Sequence, residues 1–81
     1  MLSSADYLIY LGKAIAKLRE EADLRQVELA AASDLQRTYI AEVEMGKRNL
    51  SLKSLVKIAD ALEVSLSELL QKAEALANSE N

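Results

Sequence analysis

Residues 26–46, QVELAAASDLQRTYIAEVEMG, predict two short helices joined by a tight turn. Apolar residues recur three or four positions apart on both sides of a polar interruption, which is the spacing of an inward helix face. We expect the first of these helices over residues 26–32 and the second over residues 36–45, with residues 33–35 as the turn. Gly46 follows the second helix, where glycine commonly ends a helix in the left-handed conformation.

Helical patterns also flank this segment, and together they predict an all-α fold of five helices. An apolar stripe through residues 8–22 indicates a long first helix, with Ser3 or Ser4 as its N-cap. Ser51 is placed to cap a fourth helix. Residues 65–68, Ser-Leu-Ser-Glu, have the pattern of a capping box, in which serine and glutamate pair reciprocally at the start of a fifth helix.

Length and composition limit the class of protein. The 81 residues are enough for one domain, residues 1–81, and we expect the tail from Asn78 to fray. The absence of cysteine excludes disulfides, and the absence of histidine removes the usual general base and metal ligand. No apolar run approaches the ~18 residues of a membrane span, and the N-terminus lacks signal-peptide features. We therefore expect a cytoplasmic protein that is not an enzyme and holds no metal or cofactor.

Polar side chains that can hydrogen-bond to nucleic acid open the predicted third helix: Gln36, Arg37, Thr38 and Tyr39. Three further candidate phosphate donors follow that helix: Lys47, Arg48 and Asn49. A helix with such an N-terminal end, preceded by a short helix and a turn, is the arrangement of a helix-turn-helix, which inserts that end into the DNA major groove. Residues 26–46 are therefore interpreted as a unit that binds double-stranded DNA.

The charge distribution qualifies this interpretation. The chain has a net charge of −3, although residues 36–57 carry five basic and two acidic side chains, a local net charge of +3 that leaves −6 elsewhere. Screening acts over ~8 Å at physiological salt, so the local charge matters more than the total. Because non-specific DNA binding rests on phosphate neutralisation by Lys and Arg, we expect it to be weak.

Three stretches of the chain together resemble the lambda repressor and Cro helix-turn-helix family, also called the xenobiotic-response-element type. They are LGKAIAKLRE, then Gln26 with LAAAS, then RTYIAEVEMGKRNLSLKSL, and the resemblance covers residues 11–70. Within the family the chain is most similar to the controller proteins of restriction-modification systems. The resemblance implies a compact lambda-repressor-like domain of five helices. It also implies a homodimer that binds a two-fold-related operator through helices two and three.

The resemblance assigns a role by position to every candidate contact residue except Lys47. It places Gln26 against a phosphate and gives Arg37, Thr38 and Glu42 the groove face of the third helix. Gln36 and Tyr39 lie beside the backbone or bases in this assignment. Arg48 and Asn49 would meet the sugar-phosphate backbone beyond the helix. A surface charge is the simpler interpretation of an isolated Arg or Lys, but the positions of Arg37, Lys47 and Arg48 favour DNA contact. For Thr38 a base or phosphate contact and a plain first-turn hydroxyl stay open, and Tyr39 could equally be half-buried packing.

The same resemblance implies an ion pair between Arg19 and Glu44 that ties helix one to helix three. Five residues depart from the family pattern: Arg25, Asp34, Glu42, Met45 and Leu50. Arg25 replaces a Ser or Thr helix cap, and Asp34 stands where glycine is common in the turn. Glu42 would repel phosphates in the groove, but it can accept a hydrogen bond from a cytosine amino group or orient Arg37.

The leucine-rich C-terminal region, residues 51–77, permits two interpretations. Its apolar side chains could all serve the core of one protomer, or they could form a homodimer surface on helices four and five. We favour the dimer surface and assign four residues to it: Leu66, Leu69, Leu70 and Ala73. Residues 1–10 could extend this surface or pack over helix five.

These observations predict a homodimeric, sequence-specific transcription regulator that acts on an inverted-repeat operator, with a restriction-modification controller as its most specific form. Two alternatives use the same scaffold. The chain could be an antitoxin or immunity protein whose apolar C-terminal helices bind an unknown protein partner. It could also be a purely protein-binding module, as its pI of 4.9 permits.

Overall fold

The computed structural model describes residues 2–80, and these form five helices without a strand. The helices are α1 (Ser4–Glu21), α2 (Gln26–Ser33), α3 (Arg37–Glu44), α4 (Leu52–Ala61) and α5 (Leu66–Ser79). The predicted all-α, five-helix architecture is confirmed. The third helix is shorter than predicted, because Gln36 is its N-cap and Met45 its C-cap. The prediction that the chain frays from Asn78 is wrong, since α5 continues to Ser79.

Serine N-caps start three of the five helices, as the sequence predicts. The Oγ atoms of Ser3, Ser51 and Ser65 accept hydrogen bonds from backbone N–H groups three residues later, each at 3.1 Å. These bonds satisfy N–H groups that have no partner within the helix. At α5 the predicted capping box is complete, because the Glu68 carboxylate also accepts a hydrogen bond from the Ser65 backbone N–H at 3.0 Å.

The start of α2 shows how the chain compensates for a missing cap. Arg25 supplies no side-chain cap, in agreement with the prediction that this residue departs from the family pattern. The Glu28 carboxylate nevertheless accepts the Arg25 backbone N–H at 2.8 Å. This bond is the glutamate half of a capping box, and it holds the entry to the helix-turn-helix without a serine or threonine.

Residues in the left-handed conformation make the tight turns. Asp34 ends α2 with φ 56° and donates its backbone N–H to the carbonyl oxygens of Ala30 and Ala31. Aspartate is one of the few residues other than glycine that tolerate this conformation. Gly46 has φ 72° after α3, as predicted, and a Cβ atom at this position would lie 3.0 Å from the Ile9 Cα atom of α1. These two turns set the direction of the chain before and after α3.

The core lies between all five helices, with α1 packed along α5 and across α3, and α2 packed against α3 and α4. Its largest fully buried side chains come from every helix: Ile15, Leu29, Ile40, Val43, Ile58 and Leu69. Gly12 allows α1 to approach α3 closely. A Cβ atom at this position would overlap the Val43 carbonyl oxygen and lie 2.8 Å from that of Glu44. The C-terminal end of α3 is thus fixed against α1 by backbone contact.

The structure corrects the predicted assignment of two α5 residues to a dimer surface. Leu69 and Ala73 are completely buried within one protomer, so their side chains are part of the monomer core. Leu66 and Leu70 are half-buried and pack against the same core. The sequence could not separate these two roles, because core and interface leucines on a helix follow the same spacing.

The N-terminal part of the chain packs over α5, which was one of the two predicted alternatives. The Tyr7 hydroxyl donates a hydrogen bond to the Glu74 carboxylate, and the Lys13 Nζ atom lies 3.0 Å from Glu80 Oε1. The predicted segment begins at Met1, which lies outside the described residues. From Ser4 onward the segment is helical, and it lengthens α1 along its contact with α5.

Candidate nucleic-acid interface

The N-terminal end of α3 carries an exposed polar surface. The side chains of Gln36, Arg37 and Thr38 are exposed, whereas Ile40 and Val43 anchor the opposite face of the helix in the core. The Gln36 side chain makes no capping hydrogen bond. The helix therefore presents an amide, a guanidinium and a hydroxyl that can hydrogen-bond outside the protein.

Arg37 lines a shallow depression between α2 and α3. The other side chains that line it are those of Arg19, Arg25, Gln26 and Val27. Three guanidinium groups thus border one concave surface beside the start of α3. Such a surface is suited to anionic ligands, because guanidinium groups bind phosphate oxygens in a bidentate geometry.

A second depression lies on the other side of the same helix end. Its lining residues are Asp34, Leu35, Gln36, Tyr39 and Arg48. Tyr39 is half-buried and packs against the core, as the packing interpretation of this residue predicted. Five of the nine predicted DNA-contact residues line these two depressions. Gln26 and Arg37 share the first. Gln36, Tyr39 and Arg48 share the second.

The remaining predicted contacts lie outside the two depressions. Thr38, Lys47 and Asn49 are exposed, and the last two belong to the segment between α3 and α4. This segment returns close to α3, because the Lys47 backbone N–H donates to the Glu42 carbonyl oxygen at 2.9 Å. The Lys47 backbone therefore lies against the C-terminal half of α3, and Thr38 lies within the helix itself.

Glu42 pairs with Arg48, a partner that the sequence reasoning did not identify. The Arg48 Nη1 atom donates to Glu42 Oε1 at 3.3 Å. The Arg48 guanidinium carbon also lies 4.9 Å from the centroid of the Tyr39 ring, a cation–π distance. The alternative in which Glu42 orients Arg37 is replaced by this contact. The sequence gives little indication of the Glu42–Arg48 pair, because the two residues are six positions apart and only the turn at Gly46 brings them together.

A buried ion pair positions α3 against α1. Arg19 Nε donates to Glu44 Oε2 at 2.7 Å and Nη2 to Oε1 at 3.1 Å, and the two side chains are only 13% and 7% exposed. Hydrogen bonding to Glu44 raises the pKa of Arg19, against the opposing effect of burial. The ion pair predicted from the family resemblance is present, and a bidentate pair of this kind fixes orientation as well as distance.

Gln26 joins the same network. Its Nε2 atom donates to Glu44 Oε1 at 3.0 Å, so one carboxylate connects α1, α2 and α3. A primary amide has a second N–H, which this bond leaves available for an external acceptor. Arg19 Nη1 also donates to the Leu24 carbonyl oxygen at 2.8 Å, which holds the segment before α2. The network keeps the start of α2 and the body of α3 in one fixed arrangement.

Other site chemistries find little support in the described residues. Across residues 2–80 no group of three or more acidic side chains is placed to hold a metal ion. No helix in that range combines the length and the apolar character needed to cross a membrane. The prominent functional feature of this part of the chain is the exposed, cation-bordered end of α3.

Comparison with known proteins places this arrangement in a family. A model of the helix-turn-helix family matches residues 15–69. Control protein C.MunI of Mycoplasma sp. is 47% identical over 70 residues, which cover 85% of this chain and 95% of that protein. The crystal structure of the restriction-modification controller protein C.AhdI from Aeromonas hydrophila aligns with a TM-score of 0.75 and 40% identity, covering 76% of this chain and 94% of that one.

A mutant of the restriction-modification controller protein C.Esp1396I is similar over the full length of both chains, with a TM-score of 0.87 and 33% identity. The family match spans most of the chain, and these relatives are matched over nearly their whole length. The predicted resemblance is therefore confirmed: the chain belongs to the helix-turn-helix family, with restriction-modification controller proteins among its relatives.

Proposed function

We propose that this protein is a homodimeric transcription regulator that binds an inverted-repeat DNA operator and controls a restriction-modification system. The observation that carries the proposal is the exposed N-terminal end of α3, with Gln36, Arg37 and Thr38 presented outward and arginine-bordered depressions on either side. The relatives named as controller proteins give the regulatory context. The proposal includes action on DNA in the cytoplasm and no catalysed reaction.

Base recognition falls to the side chains at the start of α3. Arg37 can donate two parallel hydrogen bonds to guanine O6 and N7, a contact worth ~1–3 kcal/mol of discrimination between bases. Thr38 is one position further along and can contact a thymine methyl group or a phosphate. The fixed network around Glu44 supports this assignment, because it holds α3 rigidly while its exposed end enters the groove.

Phosphate contacts set the position of the protein on the duplex. Lys47, Arg48 and Asn49 lie beside α3 and can donate to the backbone of one strand. Gln26 retains one amide N–H beyond its bond to Glu44, and it can donate this to a phosphate at the start of α2. Contacts of this type orient the recognition helix without reading sequence.

A second copy of the chain covers an apolar stripe on α4. Leu52 is 67% exposed and Val56, one helical turn later, is 39% exposed. Both lie in the region, residues 51–77, to which the sequence assigned dimerisation. Symmetric pairing through α4 would bury these side chains and give two α3 helices related by a two-fold axis. Such a dimer matches half-sites about one helical turn (~34 Å) apart.

Selection of bound duplexes from a random DNA library at physiological salt tests the proposal. We expect enrichment of an inverted repeat, with half-sites about one turn apart. Enrichment of a single unrepeated site would retain DNA recognition but remove the dimer. No enrichment by a folded protein would overturn the proposal and favour the alternative in which the scaffold binds a protein partner.

A further inference from the structure

The ion pair between Glu42 and Arg48 lies on the surface that the proposed function turns toward DNA. The Arg48 side chain is 50% exposed and that of Glu42 is 38% exposed, so both remain accessible. Tyr39 lies beneath the guanidinium group and supports it from the protein side. In the protein without DNA, the positive charge of Arg48 is therefore matched by a carboxylate on α3 itself.

Transfer of Arg48 to a phosphate has a consequence for Glu42. Thr38 and Glu42 are one helical turn apart, so the carboxylate follows the recognition residues into the groove. If the guanidinium leaves Glu42 for a phosphate, the carboxylate is uncovered beside the negative DNA backbone. That arrangement is unfavourable unless a base supplies a new hydrogen-bond donor, and the amino group of cytosine is a suitable one.

We propose that Glu42 is a specificity-determining residue that couples base recognition to phosphate binding through Arg48. On a duplex with cytosine at the matching position, Glu42 accepts the cytosine N4 amino group and Arg48 is released to a phosphate. On other sequences Glu42 keeps Arg48, and the protein makes one phosphate contact fewer. The inference rests on the proposed function and explains how an acidic side chain in the groove improves selectivity.

The salt dependence of binding measures the number of phosphates that the protein neutralises. For B-form DNA the slope of log K against log salt changes by about 0.9 for each phosphate contact. We therefore expect Glu42→Gln, which keeps the shape but removes the charge, to make the slope on mixed-sequence duplex steeper by about 0.9 per protomer. On the selected operator, the preference for cytosine at the Glu42 position should fall about tenfold.

Two further variants separate coupling from a general change in charge. Glu63→Gln removes one negative charge in the turn between α4 and α5, outside α2 and α3, and should leave the slope unchanged. In an Arg48→Gln background, Glu42→Gln should no longer alter the slope on mixed-sequence duplex. If Glu42→Gln changes the slope equally with and without Arg48, or does not change it at all, the inference is overturned.

The same titrations distinguish this inference from the proposed function. A wild-type protein that binds no duplex in a salt-sensitive manner would contradict both. A wild-type protein that binds its selected operator, but whose Glu42→Gln variant behaves like Glu63→Gln, would contradict only the coupling. The proposed function would then stand, with Glu42 as an ordinary surface residue.

Discussion

One carboxylate, that of Glu44, organises the residues behind the proposed DNA-binding surface. It accepts hydrogen bonds from both Arg19 and Gln26, and its side chain is almost completely buried. A buried charge is tolerated when it is paired and hydrogen-bonded, and its partners become costly to leave alone. Glu44 thus links stability to the placement of α3.

Removal of the Glu44 carboxylate should destabilise the fold. Glu44→Ala leaves the largely buried Arg19 guanidinium without its partner, and we expect the free energy of unfolding to fall by about 3 kcal/mol. Urea titration at fixed protein concentration measures the change. Glu42→Ala is the matched control, because its pair with Arg48 is exposed and should contribute less than about 1 kcal/mol. Equal losses in the two variants would contradict the structural role of Glu44.

Substitution of Arg37 should separate binding from folding. Arg37→Ala removes an exposed side chain, so the unfolding midpoint should stay close to that of the wild type. Affinity for the selected operator should fall by about 1–3 kcal/mol, roughly 5-fold to 150-fold, because the guanidinium no longer contacts its base. Lys17→Ala, an exposed cation on α1, is the control in the same titration. Equal operator affinity for Arg37→Ala and wild type would remove Arg37 from the recognition surface.

Residue-level prediction from sequence succeeded where the family resemblance or the position along a helix decides the outcome. The pair of Arg19 and Glu44 was predicted from family resemblance, and the exposure of Arg37 follows from the helix period. The contacts Gln26–Glu44 and Glu42–Arg48 were not predicted. Long side chains choose among several partners, and the choice depends on distances that only the folded chain defines.

At the scale of single helices, end residues determined most of the architecture. Ser51 and Ser65 were identified as N-caps, and Ser3 was one of two candidates, because serine oxygens satisfy first-turn N–H groups. The start of α3 was placed one residue too early. Gln36 is the N-cap without a capping side-chain bond, so the sequence held no local signal for the boundary. The close approach of α1 to α3 at Gly12 was also not predicted, since it depends on tertiary packing.

The cap of α5 should make stability depend on pH. Bonds from the backbone and side chain of Ser65 lower the pKa of Glu68 below its ordinary value. A lowered folded-state pKa stabilises the protein above the unfolded value of about 4.5, and this contribution is lost as the pH falls through the folded-state pKa. Glutamine at this position can also complete a capping box but carries no charge.

We therefore compare wild type with Glu68→Gln by thermal unfolding between pH 7 and pH 3. The wild type should be more stable than the variant at pH 7, and the difference should shrink below about pH 4.5. Glu63→Gln serves as the control for loss of one negative charge near the same helix. A difference that is constant over this pH range would show that the Glu68 charge does not support the cap.

At the scale of the whole molecule, the apolar surface that one protomer exposes differs from the predicted dimer surface. The sequence placed dimerisation in residues 51–77 and named α5 side chains, yet Leu69 and Ala73 are in the core. The exposed apolar side chains in that region are Leu52 and Val56 of α4. Helical spacing alone predicts that a leucine is buried, but it cannot distinguish burial in the core of one protomer from burial in a dimer interface.

Charging the exposed α4 stripe should therefore dissociate the protein without unfolding it. Leu52→Glu places a carboxylate on a side chain that is 67% exposed in the protomer, so helical circular dichroism should be preserved. In the proposed dimer that carboxylate would be buried beside its symmetry mate, which is strongly unfavourable. Sedimentation equilibrium should show a monomer at concentrations where the wild type is dimeric.

Operator affinity should fall together with dimerisation, because two half-site contacts are then no longer linked in one molecule. Ile9→Glu is the matched control, since Ile9 is another exposed apolar side chain but lies on α1. It should remain dimeric. A Leu52→Glu variant that stays dimeric would place the two-fold contact elsewhere. A monomeric variant with full operator affinity would instead show that one α3 helix is sufficient for recognition.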